Sequence, residues 1–237
     1  MAHSIWNRIN LGKSTGSLLL IFCLFACNNL QKKSDFELQK GDLLFQDLDD
    51  SSLSDAIEKV TQTGESNLSF SHVGMFVVDE KGEPLVLEAV SAGVCLTPLD
   101  TFLVRSLTLD GKPKVVVGRM KKRFRPRIQP AIEVGKKLLG KPYDSIYVMQ
   151  DSAFYCSELI YEMFRGEGND SEIFQLNPMT FKDPETGNFF PGWVEHYRKL
   201  GVLIPEGEPG LNPNGMSESQ NIDLIHNFTK GSRSLNK

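Results

Sequence analysis

The sequence predicts an α+β fold, one core domain whose strands cluster in the middle of the chain with helices flanking them. Two observations carry this. The stretch "FSHVGMFVVD", Phe70 to Asp79, alternates at period two and is rich in β-branched and aromatic residues, the mark of a strand. In "FYCSELIYEMF", Phe154 to Phe164, the residues Leu159, Ile160, Met163 and Phe164 recur at helical spacing. The composition, 40% hydrophobic and 24% charged over 237 residues, suits a globular domain plus extensions. A formal charge of −4 offers no broad basic surface and argues against nucleic acid as a partner.

The elements follow in order. "GDLLFQ", Gly41 to Gln46, reads as a short strand. "LSDAIEKVTQ", Leu53 to Gln62, predicts a helix with Ala56, Ile57 and Val60 inward. After the Phe70–Asp79 strand, "EKGE" makes a turn and "PLVLEAV", Pro84 to Val90, returns as its hairpin partner. "GVCLTPL" and "KVVVGRM" add two strands. "PAIEVGKKLLG" spaces Ile132, Leu138 and Leu139 for a helix that Gly140 caps and Pro142 stops. The Cys156 helix comes next. "PGWVEHYRKLG" predicts a last helix with Trp193, Tyr197 and Leu200 on one face. The domain is thus expected over 39–203. From 204 to 237 Gly, Pro, Asn and Ser dominate, which reads as a loose tail.

The N-terminus differs from the rest. Arg8 and Lys13 precede an apolar run, Leu18 to Ala26, with no acidic residue before Asp35. That is the pattern of an export signal over 1–26, too short to span a bilayer as a mature helix. "LFAC", Leu24 to Cys27, resembles a bacterial lipobox, although Phe25 is bulkier than usual there. It implies a lipidated Cys27 as mature N-terminus, a polar tether over 27–38 and a location on the bacterial cell envelope, held to a periplasmic or outer-membrane face. A plain signal peptide or an N-terminal anchor is the alternative reading.

Cys95 and Cys156 remain for the folded part. Two cysteines are no disulfide framework, and no CxxC or HxxxH spacing supports zinc; neither metal nor cofactor is expected. Cys95 alternates within a strand and reads as buried and inert. Cys156 stands where a helix begins, and unpaired N–H groups there stabilise a thiolate and could receive an oxyanion. A nucleophilic thiol also needs a base and a group to orient it. His3 goes with the signal, His226 lies in the expected tail, and His196 reads as structural beside Trp193 and Tyr197. His72, next to Gly74 in "SHVGM", is left as the base, unless it is only a packing residue. Glu88 is unexpected in the apolar "LVLEAV". An even pairing sum for the hairpin puts it on the His72 face, and an odd sum puts it on the other.

"GDLLFQ", "SHVGMFV", "VLEA", "GKPYD" and "YCSELIY", in that order between Gln39 and Leu200, resemble the YiiX/YaeF branch of the NlpC-type papain-like hydrolases. That branch is circularly permuted, with the histidine strand ahead of the cysteine helix. The resemblance implies a small antiparallel sheet or open barrel, the cysteine helix packed against it, and a catalytic set that falls on Cys156, His72 and Glu88. Glu158 also matches the motif and reads as structural. Gln150 is placed to assist the Cys156 N–H as an oxyanion donor. Tyr143 and Asp144 either line the pocket or form a turn. The expected activity is an envelope-anchored cysteine hydrolase acting through an acyl-enzyme, on the peptidoglycan stem peptide or on an acyl or amide lipid. A catalytically silent binding module is the alternative.

Overall fold

The computed structural model describes residues 36–48, 69–150, 152–165 and 173–230. The expected leader, Cys27 and the Leu53–Gln62 helix lie outside these residues. Everything below belongs to the unit Ser34–Lys237.

Six strands form one antiparallel sheet: β1 Leu43–Gln46, β2 His72–Val78, β3 Pro84–Val90, β4 Gly93–Pro98, β5 Val115–Met120 and, last in the chain, β8 Ile222–Asn227. Their order is β4-β3-β2-β1-β5-β8, so the sheet is open, not closed into a barrel. β2, β3 and β4 form a local meander. Its first turn is held by Asp79, whose Oδ1 accepts the N–H of Lys81 and of Glu83, each at 2.8 Å. Its second needs Gly93, where φ is +102° and a Cβ would stand 2.4 Å from the Lys141 carbonyl oxygen. β1 lies between β2 and β5, and Leu43, Leu44 and Phe45 are wholly buried, as a strand covered on both faces requires.

On one face of β2 and β3, Val73, Met75, Val77, Leu87 and Ala89 pack with the helical layer. That layer includes α2, Ile128–Lys137, and α3, Cys156–Arg165. Leu159, Ile160, Met163 and Phe164 are buried as their spacing predicted. The other face carries Leu44, Phe76 and Val86, covered by Phe102 of the short helix α1, Leu99–Val104. α4, Pro191–Leu200, buries Trp193 and Tyr197 in a separate aromatic cluster with Phe181.

The expected loose tail is a correction. Residues 204–230 are built into the fold, so the domain does not stop at 203. Pro213 and Asn212 start a short helix, α5, Pro213–Ser217, with the Asn212 side chain accepting the Gly215 N–H at 2.8 Å. The residues taken as loop composition are here capping residues. β8 then pairs with β5 as the sheet's last strand. The tether also ends early: Phe36 stacks on His226 at 4.0 Å, and Leu38 joins the same cluster. Two two-residue strands, β6 Asn177–Pro178 and β7 Pro209–Gly210, pair separately.

Candidate active site

β2 and β3 pair with Met75 opposite Leu87 and Phe76 opposite Val86. The pairing sum is even, so His72 and Glu88 share a face. Glu88 has no side chain beside it on β2, because that register places Gly74 there. A Cβ on Gly74 would stand 2.5 Å from Val86 Cγ1 and 3.3 Å from Glu88 Cβ. His72 Nε2 lies 2.6 Å from Glu88 Oε2. The ring also hydrogen-bonds Cys156, the first residue of α3. With Nε2 engaged by Glu88, Nδ1 is the nitrogen left for the thiol. His72 is the first residue of its strand and Cys156 the first of its helix, and the site forms where these two ends meet.

Glu88 is fully buried, and the sequence reading missed what compensates its charge. Arg105 donates two bonds to it, Nη1 to Oε2 at 2.9 Å and Nη2 to Oε1 at 2.7 Å, and Thr97 donates its hydroxyl to Oε1. A glutamate in an apolar strand needs a cation, but no local pattern in the sequence says that Arg105, 17 residues later, supplies it. Burial acts to raise the Glu88 pKa, but the bonds from Arg105 and His72, the His72 charge and the Thr97 bond outweigh it and hold the group at about 2. For His72, burial acts downward. Its bonds to Cys156 and Glu88, and the attraction of both, raise it to about 9.

The start of α3 is fixed by Glu158. Its Oε2 accepts the Tyr155 N–H at 3.2 Å, the glutamate half of a capping box, and Oε1 accepts the Gln150 N–H at 2.8 Å. Burial first, then Asp144 and Glu162, push Glu158 up to about 8 against those two bonds. Its role here is structural.

Cys156 opens onto a cleft of about 760 Å³. Tyr143 lines it. Asp144 instead makes a turn, accepting the N–H groups of Ile146 and Val148 at 2.8 Å each. Tyr147, at the unusual φ of 61°, stands at the centre of an aromatic wall with Tyr155 and Trp193 at 5.5 and 5.3 Å. Burial pushes Tyr147 up to about 12, so this wall is uncharged at neutral pH. Arg123 also lines the cleft and donates to Asn221 at 2.5 Å. Gln150 is not brought to the cleft: its side chain is exposed and accepts a bond from Ser152 at 3.2 Å, while its backbone serves Glu158. His196 donates its Nε2–H to the Ser145 carbonyl oxygen at 2.7 Å and is a structural residue. Cys95 is a further correction. It is half-buried, not buried, because β4 is an edge strand of the sheet; it lies opposite Glu88, and its sulfur sits 3.7 Å from the Thr97 hydroxyl.

A thiol at a helix start, bonded to a strand histidine and set in a cleft, defines a cysteine hydrolase of papain type. The permutation is visible in the order of elements, since the histidine strand precedes the cysteine helix. A model of permuted papain-like amidases of the YaeF/YiiX type, the C92 family, matches residues 37–226, and the chain belongs to that family. The uncharacterized protein YiiX of Escherichia coli K12 is 35% identical over 128 residues, a match spanning 54% of this chain and 57% of that protein. The crystal structure described as metalloprotein yiiX from Escherichia coli O157:H7 is similar at a TM-score of 0.63 and 27% identity, over 81% of this chain and 98% of that one.

Proposed function

We propose that this chain cleaves amide or ester bonds through Cys156 as nucleophile, His72 as base and acid, and Glu88 as the group that orients the ring. The observation that supports this best is the His72 ring, held by Glu88 at 2.6 Å through Nε2 and hydrogen-bonded to Cys156 as well. In the mechanism the thiol proton passes to His72 and the thiolate attacks the carbonyl carbon. The C=O π pair moves onto oxygen, facing the unpaired N–H groups of the α3 first turn, that of Cys156 among them. The tetrahedral species collapses, the C–N or C–O bond breaks, and His72 gives its proton to the leaving group. Water then attacks the thioester carbon and its proton goes to His72; the C–S bond breaks, His72 returns the proton to the sulfur, and the carboxylic acid leaves with the thiol restored.

The uncharged wall of Tyr143, Tyr147, Tyr155 and Trp193 supports a hydrocarbon acyl group beside the thiol. Arg123 in the same lining supports the charged stem peptide of peptidoglycan. A metal fits poorly among these donors, because Glu88 and His72 are engaged with each other and Arg105 presents a positive charge to the carboxylate. Among the described residues no group of three or more His, Cys, Asp or Glu side chains is arranged to hold one. We place the protein on the bacterial cell envelope, lipid-anchored through Cys27, on the strength of "LFAC" after a basic segment.

The test offers the full chain a stem-peptide amide and a long-chain acyl ester and amide, beside Cys156→Ala. The expected result is turnover of one class by the parent and none by the variant. Parental turnover by Cys156→Ala would remove the thiol from the mechanism. Binding of envelope components without turnover, with Cys156 inert to alkylation, would establish the binding-module alternative.

A further inference from the structure

We infer that Arg105 is a positioning residue: its guanidinium fixes the orientation of Glu88, and through Glu88 the His72 ring against Cys156. This rests on the nucleophile reading above and concerns a residue that reading does not need for any bond-making step.

The argument starts from burial. Glu88 is 0% exposed and cannot turn toward water, so its orientation is set by its partners. Every group facing it can be named. His72 approaches from β2, Thr97 and Cys95 from β4, and Arg105 from just beyond α1, with Cys156 behind the imidazole. Of these, Arg105 alone reaches both carboxylate oxygens, at 2.7 and 2.9 Å. Such a two-pronged contact fixes the plane of a carboxylate as well as its charge state. Thr97 adds a single bond to Oε1, which by itself does not fix that plane. Rotation about the last torsion would swing Oε2 away from His72 Nε2 and free the ring.

Arg105 is itself placed by the fold. Its backbone N–H reaches the Phe102 carbonyl at 3.4 Å, ending α1, and its guanidinium lies 5.2 Å over the Phe102 ring. Phe102 is fully buried, and its carbonyl also accepts Gln46 Nε2 at 2.8 Å. Gln46 stands directly opposite His72 on β1. One short helix therefore braces both the orienting carboxylate and the strand beside the base. The Arg105 side chain keeps a quarter of its surface exposed, but replacing it leaves the buried Glu88 carboxylate without its cation, so folding is checked in each variant. Lysine would keep the charge but not the fork.

The experiment compares the parent with Arg105→Met and Arg105→Lys in the full chain, each checked for folding by thermal melting. Two quantities are read across pH: the rate of Cys156 alkylation by iodoacetamide, and kcat and KM on whichever substrate class the parent cleaves. Removing a guanidinium from a carboxylate raises its pKa by about 1–3 units, so the acid limb of both profiles is expected to move up by about that much in Arg105→Met. kcat is expected to fall, by roughly tenfold or more, with KM nearly unchanged, as for an interaction felt in the transition state. Arg105→Lys is expected between the two. A folded Arg105→Met with the parental acid limb and kcat overturns the inference. If Arg105→Met does not fold, Arg105→Lys decides, and parental profiles in that variant overturn it. A parent whose thiol shows no alkylation on the acid side would overturn the nucleophile reading and this inference with it.

Discussion

Glu88 lies diagonal to His72, one step along the same face, and still places its Oε2 2.6 Å from the ring nitrogen. The position directly opposite Glu88 belongs to Gly74, the neighbour across the ladder that carries no side chain. A glycine between His72 and Glu88 thus leaves the lane through which the two reach each other.

Gly74→Ala tests that lane. The new methyl would stand 2.5 Å from Val86 Cγ1 and 3.3 Å from Glu88 Cβ, so the hairpin must shift. The expected cost is about 1–3 kcal/mol of stability, as for overpacking in a core. Activity is expected to fall further than stability alone explains, because the shift moves Glu88. Denaturant unfolding and kcat/KM measured together check this, and an alanine variant with parental kcat/KM would refute it.

Glu88→Gln is expected to be more damaging than an isosteric change suggests. The carboxylate accepts from His72, Thr97 and twice from Arg105. A glutamine has one acceptor oxygen, so its NH₂ must face a donor. Leaving donors unmatched in a buried site costs about 1–3 kcal/mol. A lowered Tm together with a large fall in kcat is the expected outcome; a parental Tm would mean the network relaxes freely.

The pH dependence follows from His72 and Glu88. The folded pKa of His72 is raised to about 9 from 6.5, so its stabilising contribution is complete below 6.5 and is lost as pH rises through 9. For Glu88 the folded value is lowered to about 2 from 4.5, so its contribution is present above 4.5 and is lost as pH falls through 2. In the proposed mechanism the proton on His72 is also the one delivered to the leaving group, so kcat/KM is expected to decline above about pH 9. A profile that falls near the ordinary histidine value instead would show that the ring is not held by both partners.

Location has its own test. Cys27→Ser is expected to release the protein from the membrane fraction and to abolish incorporation of labelled acyl chains. Unchanged fractionation with unchanged labelling would rule out the lipid anchor.

The strands and helices that hold the site were legible because each carries its own period. The alternation through Val73, Met75 and Val77 and the helical spacing of Leu159, Ile160, Met163 and Phe164 depend on local sequence alone. So does hairpin parity, which left two options for Glu88 that only the turn could decide. Arg105 was not legible, since its partner lies on a different strand and no local pattern links a loop arginine to it. β8 was missed for a related reason. "IDLIHN" alternates weakly after a segment rich in Gly, Pro and Asn, and only pairing with β5 makes it a strand. Gln150 failed because sequence distance to Cys156 says nothing of side-chain direction, and its backbone turned out to be the part in use.

The sheet order β4-β3-β2-β1-β5-β8 also carries a consequence for how the molecule assembles. The β2-β3-β4 meander closes only short loops, whereas β1 must find β5 and β5 must find β8 across long stretches of chain. Loop-closure entropy makes such distant pairings the slower ones. The hairpin bearing His72 and Glu88 can therefore form early, while the helix bearing Cys156 and the final strand dock afterwards. In this order of events the thiol meets its proposed base already mounted on the strands, and any reactivity of the pair arises late, as one of the last properties the folding chain acquires.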